Sequence, residues 1–201
     1  MKTLFSFLFI LLLFFNSCNS NKKVSEKTIA LITLAEKEHE FLPDLKKNIE
    51  QFYGCKVIIL PHKNAPTSAY NMDSRHYYAD SLLTFLSHNI STEYDCIQGI
   101  LDADIAINHG QHRHWKVFGL GYCPGNSSVI SPYRMYGNNA PMEQVKQRLL
   151  NVSIHEIGHN LGLQHCSDTS CLMKDAKSSL KNIDGANKKL CSKCKKIISN
   201  E

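Results

Sequence analysis

A chain of 201 residues, 43% hydrophobic and 20% charged, is long enough for one compact domain with a sizeable core and too short for two large independent ones. The formal charge of +5 comes from scattered lysines that cluster only at Lys188, Lys189, Lys193, Lys195 and Lys196. No aromatic–basic alternation accompanies that cluster, so it reads as solvated surface and argues against nucleic acid as a partner.

The first residues read as a leader. Lys2 precedes an apolar run, Leu4 to Phe15, broken only by Ser6 and followed by Asn16-Ser17-Cys18. Roughly 12 apolar residues fall short of the about 20 that cross a bilayer, but they suit the apolar part of a signal peptide. The ending Phe15-Asn16-Ser17-Cys18 resembles a bacterial lipobox, in which the cysteine becomes the lipidated N-terminus. A plain cleaved signal and an uncleaved anchor are the alternatives. The expected organisation is a lipoprotein signal peptide over residues 1–17, a polar tether over 18–27 and a single domain over 28–201. That organisation predicts a cell-envelope protein touching the membrane only through its lipid; a monomer is expected.

Thr28 to Leu34 is apolar and rich in β-formers, which predicts a buried strand. Pro43 suits a helix start, Leu45, Ile49 and Phe52 continue at helical spacing, and Gly54 closes the helix. Cys55 to Leu60 reads as a second strand, residues 61–73 as loop, and Tyr77 to His88 as a second helix. Cys96 to Ile107 reads as a third strand and its exit. Val117 to Ile130 has room for two strands around Pro124-Gly125. This β-α-β-α-β opening over 28–140 predicts an α/β (α+β) fold with a mostly parallel sheet and an antiparallel edge. From Pro141 the helical period returns through Val145, Leu149, Val152, Ile154, Ile157 and Leu161, and Gly162 should end that helix. Residues 141–201 would then hold this helix and a small C-terminal subdomain.

The last helix carries His155-Glu156-Ile157-Gly158-His159. Residues four apart share one helical face, so both imidazoles reach one metal ion, and Glu156 is set to the side where it can touch a water. A catalytic zinc takes three protein ligands and keeps a position for water. Gly162 allows a sharp turn out of the helix, and His165 arrives three residues later as the third ligand. Five such positions recur by chance in a chain of this size with probability on the order of 10⁻⁴, which sets aside unrelated surface histidines. Of the remaining cysteines, Cys166, Cys171, Cys191 and Cys194 lie in the last 36 residues and end in C-x-x-C, a zinc-like spacing; two disulfides are the alternative in an exported chain.

HEIGHNLGLQH resembles the metzincin signature, and the residues after it resemble the archaemetzincins, or archaelysins. In that family the third histidine is followed at once by a cysteine, then by four residues and a second cysteine. One residue and the Met of the Met-turn come next, then seventeen residues and a C-x-x-C. Here His165 is followed by Cys166, Cys171, Met173, Cys191 and Cys194, and residues 174 to 190 number seventeen. The resemblance implies a zinc-dependent peptidase with a metzincin-like catalytic domain and two zinc ions. One is catalytic, on His155, His159 and His165 with Glu156 as general base. The other is structural, on Cys166, Cys171, Cys191 and Cys194, and Met173 lies under the histidines. It implies a peptide or protein substrate, with a restricted or aminopeptidase-like range. No tyrosine role carries over, because Lys174 and Asp175 follow Met173. Archaemetzincins are mostly regarded as intracellular, so export would set zinc against oxidation at the four cysteines.

Two rival functions keep the same ligands: an envelope protein that carries zinc, and an inactive peptide-binding module. The zinc carrier gives no reason for a glutamate placed between the ligands, and turnover separates the enzyme from the inactive module. His109, His112 and His114 form a loose cluster expected in a loop, without recognisable ligand spacing. Cys55, Cys96 and Cys123 are expected as free thiols, with a disulfide among them as the alternative. The metzincin resemblance implies that Val117 to Gly121 is the edge strand above the cleft, a plain sheet strand being the alternative.

Overall fold

The structure is a computed structural model that describes residues 24–89, 93–185 and 188–199. The leader, its Cys18 and most of the tether lie outside the described residues. Strands run over Thr28–Thr33 (β1), Lys56–Ile59 (β2), Tyr70–Asn71 (β3), His76–Tyr78 (β4), Cys96–Ile100 (β5), Ile105–His109 (β6), His112–Val117 (β7), Gly119–Gly121 (β8) and Ser127–Ile130 (β9). Helices run over Leu42–Tyr53 (α1), Ala79–Asn89 (α2), Met142–Asn160 (α3), Leu180–Asp184 (α4) and Ser192–Ser199 (α5). Among the described residues no helix is long and apolar enough to cross a membrane.

The main sheet has the order β2-β1-β5-β9-β8, with β8 antiparallel to β9 and the other neighbours parallel. This is the expected mostly parallel sheet with one antiparallel edge. Side chains alternate across it, as the pleat requires. Ile29 and Leu31 join a core with Leu45 and Ile49 of α1 and Leu149 and Ile157 of α3. Ala30 and Ile32 face the other way, onto Leu82 and Leu86 of α2. Helices therefore cover both faces, which is why β1 reads as a continuous apolar run rather than an alternating one.

Several boundaries differ from the sequence reading, and Tyr70–Asn71, within the loop expected over 61–73, is strand β3, paired with β4. The run Cys96 to Ile107 is two strands in two sheets: β5 joins the main sheet, and β6 a small one ordered β3-β4-β6-β7. The break falls at residues 101–104, where the Leu101 N–H donates to Ile130 O and the Ser131 hydroxyl donates to Ala103 O. Tyr77 and Tyr78 are strand, because the Tyr77 N–H is claimed by Asp104 O and α2 begins only at Ala79. The histidines expected in a loop are also strand: His109 ends β6, and His112 and His114 lie on β7 in a hairpin. Gly110 turns that hairpin, which the polar composition concealed.

Arg148 is a structural residue that periodicity did not reveal. Its side chain is 3% exposed and donates through Nε and a terminal nitrogen to both carboxylate oxygens of Asp184, each at 2.7 Å. The same guanidinium donates to Met135 O and Gly137 O, so it ties α3 to α4 and to the segment before α3. Arg148→Met should lower stability by about 2–3 kcal/mol, at the low end for a broken buried pair because Asp184 is one-third exposed. That is a fall in Tm of roughly 5–10 °C, readable by calorimetry. The Arg148 hydrogen bond holds the Asp184 carboxyl below its ordinary value. Its share of stability is therefore complete above the unfolded value of about 3.9 and is lost as pH falls through the folded one. The gap between wild type and Arg148→Met should narrow on acidification.

Candidate active site

Three elements build the site: α3 as its floor, β7 and β8 as one wall, and the chain from Met173 to Ile183 as the other. Pro141 caps α3 in an extended conformation, and the helix runs to Asn160 as its period predicts. It is pinned immediately before the first histidine, where Gln98 on β5 exchanges hydrogen bonds with Ser153. The Tyr53 hydroxyl donates to Ile154 O at 2.7 Å from the opposite side. Gly162 has φ +94°, a conformation that residues with a Cβ resist, and this turns the chain back so that His165 approaches the helix.

His155, His159 and His165 meet there. Their ligand nitrogens lie within 4.8 Å of one another, and the three ring centroids are 4.7–5.4 Å apart. His155 Nδ1 is 3.0 Å from Leu172 O and His159 Nδ1 is 2.7 Å from Leu163 O. A carbonyl only accepts, so each Nδ1 carries the proton and each Nε2 keeps its lone pair for a metal. Desolvation pulls His155 down to about 4 and lowers His159, with the neighbouring histidine adding to the effect on His155. Both are thus neutral near pH 7, the form that binds a cation.

Glu156 is buried, 8% exposed, and desolvation pushes its carboxyl up to about 8 against the lowering effect of the Gly121 backbone N–H, which donates to it. That contact depends on β8 being Gly119-Leu120-Gly121. A Cβ on Gly119 would lie 2.8 Å from Glu156 Cγ, and one on Gly121 would lie 2.7 Å from Glu156 O. The edge strand reaches the catalytic helix only because both positions lack a side chain, a reason for the alternating glycines that the sequence reading did not supply. Asn160 holds the strand in place, its Nδ2 donating to Tyr122 O and Ser127 O.

Met173 is fully buried beneath the histidines. A Cβ at Gly158, between the two helical ligands, would come within 2.6 Å of Met173 Sδ, so glycine there lets the thioether press on the helix. The four C-terminal cysteines also converge, with Sγ atoms within 4.8 Å of one another. Cys166 and Cys191 are 3.8 Å apart and Cys171 and Cys194 are 3.7 Å apart. A tetrahedron of sulfurs about 2.3 Å from a zinc has edges of about 3.8 Å, whereas a disulfide would need about 2.05 Å. The set fits a zinc ion as thiolates. The Cys194 backbone N–H pulls the Cys191 thiol down to about 7, toward the ligand form. Among the described residues no other histidine, cysteine and carboxylate group converges in this way, and His109, His112 and His114 do not. Cys55, Cys96 and Cys123 are unpaired as expected, and burial pushes the Cys55 thiol up to about 11.

A cleft of about 810 Å³ opens above the histidines and Glu156. A second cleft of about 950 Å³ lies on the other side of α3, against Phe52 and Ile154, and holds none of the converging ligands. The chemistry belongs to the first.

Known proteins share this sequence pattern and fold. The family described as Peptidase family M54 matches residues 24–200. The chain belongs to that family. An archaemetzincin of Saccharolobus solfataricus is 30% identical over 177 residues, covering 85% of this chain and 92% of its own. The crystal structure of archaemetzincin from Methanopyrus kandleri superposes with a TM-score of 0.74 at 25% identity, covering 88% of this chain and 95% of its own. That of Archaeoglobus fulgidus gives 0.70 at 24% identity over 85% and 99%. As a member of family M54 this protein is a zinc metallopeptidase, with a three-histidine and a four-cysteine site in its fold.

Proposed function

We propose that this M54 peptidase hydrolyses peptide bonds with Glu156 as general base, on a restricted or aminopeptidase-like set of substrates. In this reading His155, His159 and His165 hold the catalytic zinc, and Cys166, Cys171, Cys191 and Cys194 hold a second, structural one. The convergence of three imidazoles beside a buried glutamate supports it best. Zinc bound there supplies Lewis-acid polarisation of a carbonyl and a water acidic enough to ionise near neutral pH. A cation held by the histidines would favour the ionised form of Glu156, whose carboxylate would then accept a proton from the attacking water and pass it to the leaving amine. The Gly121 N–H fixes the carboxylate, and burial keeps bulk water from competing for it. β8 is the edge strand of the main sheet and lines the cleft, so an extended substrate can lie along it. A zinc carrier would need neither the glutamate nor the cleft. Turnover by wild type against Glu156→Gln tests the assignment.

We also infer that the chain is exported and anchored through Cys18, because a short apolar run ends at that cysteine. Wild type should incorporate an alkynyl fatty acid and sediment with membranes, and Cys18→Ala should do neither. Equal labelling of both would remove the lipoprotein reading.

A further inference from the structure

We propose that Trp115 limits the length of peptide the cleft accepts, by closing one end of it against Ser178. The proposal rests on the peptidase reading above and adds a residue that selects among its substrates. The indole N–H of Trp115, on β7, donates to Ser178 Oγ at 3.1 Å. That bond spans from the strand wall to the opposite wall, and both residues line the cleft above Glu156. Trp115 is 41% exposed, so it is not a core side chain whose hydrogen bond is incidental to packing. Its ring lies 5.3 Å from that of His112, which thickens the barrier.

The partner loop is built to meet it. Lys177 and Ser178 have φ of +48° and +53°, a left-handed pair that side chains disfavour. The Lys177 N–H donates to Asp175 Oδ1 and the Ser179 N–H to Ala176 O, and these bonds hold the turn that presents Ser178 to the indole. A second bridge closes the other end, where Gln164 Nε2 donates to Cys123 Sγ at 3.1 Å and that thiol donates to Leu163 O. The positions 115 and 123 are eight residues apart. An extended strand rises about 3.3 Å per residue, so the wall between the bridges spans at most roughly 26 Å, and the bend at Phe118 between the two sheets shortens it. A peptide of at most about eight extended residues fits between the bridges, whereas a longer extended chain must displace one of them. Trp115 is the larger obstacle.

The test uses the full-length, zinc-loaded chain and synthetic unstructured peptides of about 5 and about 15 residues sharing one central sequence, with cleavage read by mass spectrometry. Wild type should favour the short peptide in kcat/KM by about 10-fold or more, and Trp115→Ala should shrink that preference to about threefold or less. Ser178→Ala removes only the hydrogen bond, and Trp115→Phe removes the bond and part of the ring, so each should shift the ratio the same way by less than Trp115→Ala. Ser178→Ala changes one atom on a half-exposed loop, so it reports even where Trp115→Ala fails to fold. A Trp115→Ala or Ser178→Ala ratio equal to that of wild type overturns the proposal, as does length-blind cleavage by wild type. No cleavage at any length would overturn the peptidase reading and the proposal with it.

Discussion

Glu156→Gln should reduce peptide hydrolysis by about 10²- to 10⁴-fold, the usual contribution of a positioned general base, while the histidine site keeps its zinc. The amide fills the same buried volume and still accepts the Gly121 N–H, so the helix and its ligands should stay in place. Only the capacity to take a proton is lost. Metal analysis of the variant, together with turnover under saturating peptide, separates the two effects. Loss of zinc along with activity would mean that Glu156 acts structurally. Wild-type turnover would mean that another group is the base, and the described residues of the floor place no other carboxylate between the ligands. Asp175 lines the wall of the cleft and would then be the next candidate.

Much of this site was legible because its parts are local. His155, Glu156 and His159 fall on one helical turn, and the helical period fixes their shared face whatever the rest of the chain does. Gly162 and His165 follow within six residues of His159, so the return of the chain could also be read. The second wall could not. Trp115 lies 40 positions before His155, and Ser178 lies 23 positions after it. Only the tertiary fold brings them together. Gly119 and Gly121 carried a signal, glycines at alternate positions of a strand, but what they approach is a side chain on a distant helix. The fold shows the same division. Runs with one period, such as β1 and α3, were read to within a few residues. Cys96 to Ile107 was read as one strand because an apolar run gives no sign of passing from one sheet to another. Tyr77 and Tyr78 were drawn into a strand by a partner on β6, which overrides any local preference.

Replacing Cys191 and Cys194 with serine should remove one zinc per chain and weaken the other by roughly 10- to 100-fold, the range for losing a group that supports a metal ligand. Two routes connect the sites. Cys166 is the neighbour of His165, and its N–H donates to Met173 O at 2.8 Å. Leu172 accepts from His155 Nδ1, and its own N–H donates to Lys189 O, two residues before Cys191. Releasing Cys191 and Cys194 therefore loosens the backbone that orients His155 as well as the turn that carries His165. Wild type should bind two zinc ions, one drawn off readily by a chelator and one retained. The histidine site keeps a position that a competing ligand can enter, whereas four thiolates leave none. Zinc content by mass spectrometry and competition with a chromophoric chelator measure both quantities. One zinc per chain, with the four cysteines oxidised in pairs, would overturn the two-ion arrangement. Two ions with unchanged affinity at the histidines after the double substitution would leave the second site without influence on the first.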